Sequence, residues 1–324
     1  MKDGGRLQAA IEVIDDVEGR KRPVADALKD WGLSHRFAGS GDRQAIGSLV
    51  FDALRRRASA RRIMGEETAR AAVLFTYAVT WGRGLAALDE ALAHPHAPAK
   101  LKPAERDRLA ADAEAVLADA PAHVRGDFPA WLAPSLEALF GEALEAEMRA
   151  LAERAPVDLR VNTLKGDRAA ALAALAAMGA VATDLSPLGL RLPEGGPTAK
   201  PPHVPSEAAY QDGLVEIQDE GSQIAALVAS PVPGSRVLDL CAGGGGKSLA
   251  LAAAMGNVGR IYAYDNDKRR FGDFRDRAAR AGATSIELRP PVHGGDALVD
   301  LDGTIDLVLV DPPCTGPGTW RRRP

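Results

Sequence analysis

The chain has 324 residues, of which 46% are hydrophobic and 26% charged, which is enough for two or three domains that bury real cores. A formal charge of −4 excludes nucleic-acid binding by bulk positive charge and leaves local basic surfaces open. The two cysteines, Cys241 and Cys314, exclude a disulfide framework and a cysteine-rich zinc site, and the six histidines show no metal-ligand spacing, so no metal centre is expected.

The first twenty residues carry acids where a secretory signal would carry an unbroken apolar core, and no later run is long and apolar enough to span a bilayer. A cytoplasmic protein without a membrane partner is expected. From the N-terminus, Leu7, Ala10, Ile11 and Ile14 recur at helical spacing, as do Ile46, Leu49, Val50 and Leu54, and the more hydrophobic "RAAVLFTYAVTW" is expected at the centre of a helical bundle. The stretch "AHPHAPAKLKPAERD" interrupts the pattern with three prolines, and helical periodicity resumes in "SLEALFGEALEAEMRALAER". These segments predict an all-α domain over residues 1–140.

At Val157 the period changes to two, with Val157, Leu159 and Val161 alternating with Asp158, Arg160 and Asn162. A short helix capped by Asp167 is expected in "DRAAALAALAAMGA". Further short strands make residues 141–212 a small α+β domain. Beyond them the order is strand "SRVLDL", glycine-rich turn "CAGGGGK", helix "SLALAAAMG" and strand "GRIYAYD". That alternation predicts a parallel sheet in a Rossmann-like α/β domain over residues 213–324.

Gly243 to Gly246 follow a strand directly and precede a helix N-terminus, a design that lets backbone N–H groups approach a ligand. A P-loop requires G-x-x-x-x-G-K-[ST]; Gly246, Lys247 and Ser248 match, but Cys241 occupies the first glycine position. A dinucleotide fingerprint would need glycine at Ser248. The pattern fits S-adenosyl-L-methionine better, because Asp265, Asp296 and Asp311 follow three successive expected strands, where acids can meet the ribose and adenine of such a cofactor. In "DPPCTGPGTWRRRP" Cys314 stands where adenine methyltransferases carry an aromatic residue. A thiol suits chemistry at pyrimidine C5, which becomes nucleophilic once a thiolate adds at C6.

These residues carry a resemblance. "LCAGGGGKS", "YDND", "GGDAL" and "DPPCTGPGTWRRRP", with "LRVNTLK" and "IQDEGSQ" upstream, resemble the Sun/RsmB-type (Nop/Sun) family of RNA (cytosine-5) methyltransferases, and the helical region resembles the NusB-like RNA-binding domain of its bacterial ribosomal RNA members. The resemblance implies a class I methyltransferase domain that binds S-adenosyl-L-methionine through Cys241, Ala242, Gly243, Gly244, Gly245, Gly246, Lys247, Asp265, Asp296 and Asp311. It also implies catalytic roles for Lys247 and Asp311, and product release for Cys314. One loop glycine departs from the commoner proline. RNA, as ribosomal RNA and 16S in particular, is the implied partner of a protein that is monomeric when complete.

The family takes its attacking cysteine from a Thr-Cys motif after the next strand, and Cys241 belongs to the cofactor loop. "IDLVLV" also reads as a strand buried on both faces, with nothing after it to supply neighbours. The expectation is therefore a C-terminally truncated chain that lacks the last strands and the nucleophile and is inactive alone. Two other readings stay open: a P-loop nucleotide hydrolase using Lys247 and Ser248, and a non-catalytic RNA-binding or assembly protein. For RNA contact, Arg55, Arg56, Arg57, Arg61 and Arg62 form the densest basic cluster, weighed equally against a solvated helix end. Arg321, Arg322 and Arg323 beside Trp320 form a second.

Overall fold

The computed structural model of the chain describes residues 1–196, 199, 202–314, 316 and 319–322. They divide into two compact units, the first made of Met1–Ala155 with the described residues of 195–200 and 317–324, the second of Pro156–Glu194 with those of 201–316.

The first unit is helical: α1 (Asp3–Arg20), α2 (Val24–Ser34), α3 (Ser40–Arg55), α4 (Arg57–Met64), α5 (Ala69–Phe75), α6 (Gly84–Leu92), α7 (Pro103–Ala110), α8 (Ala113–Leu117), α9 (Ala122–Arg125), α10 (Ala133–Phe140) and α11 (Leu144–Leu151). The apolar stripes do what their spacing dictates. Leu7, Ala10, Ile11 and Ile14 of α1 and Ile46, Leu49 and Val50 of α3 are buried together with Val73, Leu74 and Phe75 of α5. Beyond Phe75 the helix widens into a π-turn, Thr76–Thr80, which buries Tyr77. The Tyr77 hydroxyl donates to Asp3 at 2.8 Å, and burial together with this acid pushes its pKa up to about 12. Helices continue past the expected boundary at 140, because α11 packs Leu144 and Met148 against Phe128 in a small satellite core.

The second unit holds two four-stranded sheets. Strands β1 (Val157–Val161), β2 (Val181–Ala182), β3 (Gly189–Leu192) and β4 (Val215–Ile217) form an antiparallel sheet in the order β2-β3-β1-β4. The helix α12 (Arg168–Ala174) packs there, capped by Asp167, which accepts the Ala170 N–H at 2.8 Å as its sequence position implies. The helix α13 (Ala208–Gln211) precedes β4. Because β4 pairs with β1 through Leu159 opposite Ile217, this sheet runs past the expected boundary at 212.

Strand β1 differs from the simple alternation read in its sequence. Asp158 and Arg160, which alternate with its apolar positions, are each only 3% exposed. β1 has strands on both sides and α14 (Glu220–Ala229) near one end, so its polar side chains join buried ion networks. Arg191 donates to both Asp158 oxygens at 2.7 and 3.0 Å, and the Glu220 N–H caps the same carboxylate.

The second sheet is parallel, in the order β7-β6-β5-β8, from β5 (Arg236–Asp239), β6 (Arg260–Tyr264), β7 (Ile286–Arg289) and β8 (Leu307–Leu309). Helices α15 (Gly246–Ala254) and α16 (Phe274–Ala281) supply Leu249, Leu251, Ala252 and Phe274 to a core with Val237, Ile261 and Ala263. A helical region followed by a Rossmann-like parallel-sheet domain is thus the architecture of the described residues. The apolar strand β8 lies at the edge of this sheet: among the described strands it pairs only with β5, and Val308 and Val310 are 49% and 52% exposed, as an apolar strand lacking a second neighbour is expected to be.

Candidate functional site

Strand order reverses at β5, whose neighbours are β6 on one side and β8 on the other. The crevice at the carboxyl ends of such strands is where open parallel sheets bind ligands. Asp239 closes β5 in register with Ala263 of β6 and Leu309 of β8, so Asp265 and Asp311, each two residues further on, reach the same edge. The loop from Cys241 to Gly245 crosses this edge and starts α15.

Its path needs glycine at two points. Gly243 and Gly245 have φ of +54° and +84°, and a Cβ on Gly245 would lie 2.3 Å from the Phe274 ring. The loop is fixed by the Ala242 N–H donating to the Tyr264 carbonyl at 2.8 Å and the Gly243 N–H donating to Asp265 Oδ2 at 2.9 Å. Asp265 is 2% exposed, and its other oxygen accepts the Asp267 N–H at 2.9 Å. Arg270 Nη1 is a second contact of Oδ2, and Oδ1 keeps lone-pair capacity for a further donor.

Acids and cations share this edge, with Arg270 Nη1 3.5 Å from Asp265 Oδ2. Lys247, in the first turn of α15, is ion-paired with Asp311. Asp239, 1% exposed, accepts the Ser248 hydroxyl at 2.6 Å, while its second oxygen is buried with no partner among the described residues. Burial raises the Asp239 pKa, Asp311 and Asp265 add to the rise, and Ser248 and Lys247 oppose it. Burial followed by Asp265, Asp239 and Asp311 likewise pushes the Cys241 thiol up, which disfavours its thiolate.

The loop residues Cys241 to Lys247, Asp265 and Asp311 therefore meet at one edge. Asp296 is exposed and accepts the Leu298 N–H at 2.8 Å, capping its own turn; among the described residues no hydrogen bond joins it to the glycine loop. Cys314 is exposed, with its sulfur accepting the Gly316 N–H at 3.3 Å. Sequence reasoning missed Asp239, although its place at the end of "VLDL" matches that of the other acids. It also missed Glu216 and Arg277, which no local pattern marks.

The first basic cluster is not a free cationic face. Arg55 is 7% exposed, bound to Asp52 at 2.8 Å and to the Arg321 carbonyl. Arg56 pairs with Glu153, Arg57 with Glu18 and Glu67, and Arg61 with Glu67. Arg62 is exposed. In the second cluster Trp320 packs beside Phe128 and Met148, and the Arg321 guanidinium donates to the Arg154 carbonyl at 2.6 Å. Arg323 lies outside the described residues, as do Thr315 and Gly318 of the Pro-Cys turn.

The family model described as 16S rRNA methyltransferase RsmB/F matches residues 226–324, and the ferredoxin-like domain of RsmF/B-like methyltransferases matches residues 128–199. The ribosomal RNA small subunit methyltransferase B of Xylella fastidiosa is 31% identical over 98% of this chain and 69% of its own length. A probable methyltransferase B of Synechocystis is 32% identical over 61% of this chain, and the match spans 44% of that relative. A mouse 28S rRNA (cytosine-C(5))-methyltransferase is 35% identical over 35% of this chain and 25% of its own length. A chain that matches both domain models and aligns over 98% of its own length with 69% of a relative 31% identical to it belongs to the RsmB/F family of ribosomal RNA methyltransferases.

Proposed function

We propose that the protein uses S-adenosyl-L-methionine to methylate cytosine C5 in RNA, with 16S ribosomal RNA as substrate. The observation that carries this reading is the glycine loop at the carboxyl end of β5, lined by Asp239, Asp265 and Asp311. Carboxylates at a strand edge can accept from the hydroxyl and amino groups of such a cofactor. The loop fits the cofactor on two further counts: it approaches closely through glycine, and its buried acid Asp265 retains acceptor capacity.

In this reading Cys241 to Lys247 cradle the cofactor, Asp265 accepts from its ribose, and Asp296 meets its adenine. When bound, the group supplies an electrophilic methyl. Lys247 and Asp311 orient the target base from the edge of the sheet, and the exposed Cys314, shortly after Asp311 in sequence, assists product release. The helical unit acts as a NusB-like RNA-binding domain. The boundary between the α+β domain and the methyltransferase domain falls after β4, since β4 completes the antiparallel sheet.

The P-loop alternative is disfavoured by the same contacts. Lys247 is engaged by Asp311 and the Ser248 hydroxyl by Asp239, where that reading needs them on phosphate and magnesium. Calorimetry is the test. S-adenosyl-L-methionine binding that Asp265→Ala abolishes, with no heat from ATP, is expected; ATP binding in its place would overturn the assignment.

A further inference from the structure

We propose that Arg277 is a positioning residue for the glycine loop, held in place by Glu216. The proposal rests on the reading of this loop as the cofactor cradle and adds to it the device that keeps the loop in shape.

Four consecutive glycines have more backbone freedom to lose than any other four residues. The loop is pinned from the parallel sheet on its first side, by Tyr264 through Ala242 and by Asp265 through Gly243. Gly244, the exposed apex, is reached from the other side by Arg277 of α16, whose Nη1 donates to its carbonyl at 2.5 Å. A Cβ built on Gly244 would lie 3.1 Å from that nitrogen, so the guanidinium lies directly against the apex.

Arg277 is itself clamped. Its Nη2 and Nε donate to one oxygen of Glu216 at 3.0 and 3.3 Å, and that carboxylate is 1% exposed. Arg280, lying 3.9 Å over the Tyr210 ring, pairs with the other oxygen. Arg160, buried with Nε and Nη1 unpartnered, lies in the field of the same carboxylate. A buried carboxylate facing an excess of guanidinium groups cannot swing away without stranding charge. Arg277 thus has a fixed base and a charge-assisted bond to the loop. Glu216 lies on β4 of the antiparallel sheet, so the clamp also links that sheet to the cofactor loop within one compact unit.

The test uses the full chain, Arg277→Ala, Arg277→Lys and Glu216→Gln, with calorimetric S-adenosylhomocysteine binding and amide hydrogen exchange without ligand. Expected are an affinity loss of about tenfold for Arg277→Ala, matching one charge-assisted hydrogen bond, partial recovery for Arg277→Lys, and a smaller loss for Glu216→Gln. Exchange should accelerate at the amides of residues 243–247 while β5 and β6 stay protected. Unchanged loop exchange in Arg277→Ala overturns the proposal, as does acceleration spread through β5 and β6, which would mark a structural role only. Should Arg277→Ala not fold, the same exchange criterion applied to Arg277→Lys decides. Absence of binding by the parent chain would refute the proposed function, while the ligand-free exchange result still decides the role of Arg277.

Discussion

The Lys247 ammonium is paired with the Asp311 carboxylate, joining the first turn of α15 to the end of β8. This contact places a cation near Asp239 and Asp311, acids that would otherwise repel one another. Lys247→Ala is therefore expected to favour the sulfonium of S-adenosylmethionine over the neutral sulfur of S-adenosylhomocysteine. The shift should be modest, about two- to fivefold, because Asp311 is 58% exposed and screened by solvent. Calorimetric titration of both ligands measures it, and an unchanged affinity ratio would sink the electrostatic account.

Two glycines of the loop should respond differently to the same substitution. Gly245→Ala meets both a left-handed backbone and the Phe274 ring, and is expected to cost roughly 3 kcal/mol or more. Gly243→Ala meets only the backbone term, since its Cβ would enter open space, and should cost about 1 kcal/mol. Chemical denaturation of both variants gives the comparison. Equal losses would mean that the Phe274 contact does not decide the matter.

Ser248 is the hydroxyl donor to the buried Asp239 carboxylate. Its removal should cost about 1–3 kcal/mol, the range for stranding a buried polar group. Because the folded-state pKa of Asp239 is raised, folding favours the protonated form, and its destabilising contribution develops as pH rises from the unfolded value toward the folded one. Ser248→Ala should widen that window, so its melting temperature should recover in acid more than that of the parent chain. A loss that does not vary with pH would contradict this.

A second acid supplies a pH dependence in the helical unit. Burial pushes Asp127 up to about 6, against hydrogen bonds from the Ser59 backbone and hydroxyl. With the folded value above the unfolded one, the carboxylate destabilises the fold above pH 6 and ceases to do so below about pH 4, a span of roughly 3 kcal/mol. Asp127→Asn, whose residue type tolerates the φ of +53° at this position, should raise neutral-pH stability and flatten the profile. Thermal melts between pH 4 and pH 8 are the measurement. An Asn variant less stable than the parent at pH 7 would refute the assignment.

The basic cluster separates into structural and exposed members. Arg55→Ala removes one of the donors to Asp52, beside Arg154 and Trp81, and the donor to the Arg321 carbonyl, and should lower the melting temperature of the chain. Arg62→Ala should leave it unchanged and, where this face meets RNA, reduce the salt dependence of binding by about one counterion. Filter binding at several salt concentrations distinguishes the two. An Arg55→Ala chain of parental stability would show that its buried contacts contribute little.

Much of the architecture was legible in the sequence for local reasons. Helical spacing of Leu7, Ala10, Ile11 and Ile14 marked the seam of α1, and the Asp167 cap marked the start of α12, because each depends on residues within one or two turns. The glycine loop and the acids at Asp265 and Asp311 were legible because a parallel sheet brings the ends of its strands to one edge. Asp296 shows the limit of that argument. It follows β7 by seven residues, far enough for the chain to turn and use its carboxylate on its own backbone.

What sequence patterns could not express were contacts between distant segments. Arg55, Arg56 and Arg57 read as a cationic patch, yet their partners Arg321, Glu153 and Glu18 are remote in sequence. Asp158 and Arg160 read only as the polar positions of an alternating strand, but neighbouring elements cover them and draw them into buried ion networks. The sequence by itself determined the helices, the order of strands and turns, and the motif that crosses the end of β5. Only the tertiary structure decided which charges are free and which are bound, because an ion pair is set by distance in space and a motif by distance along the chain.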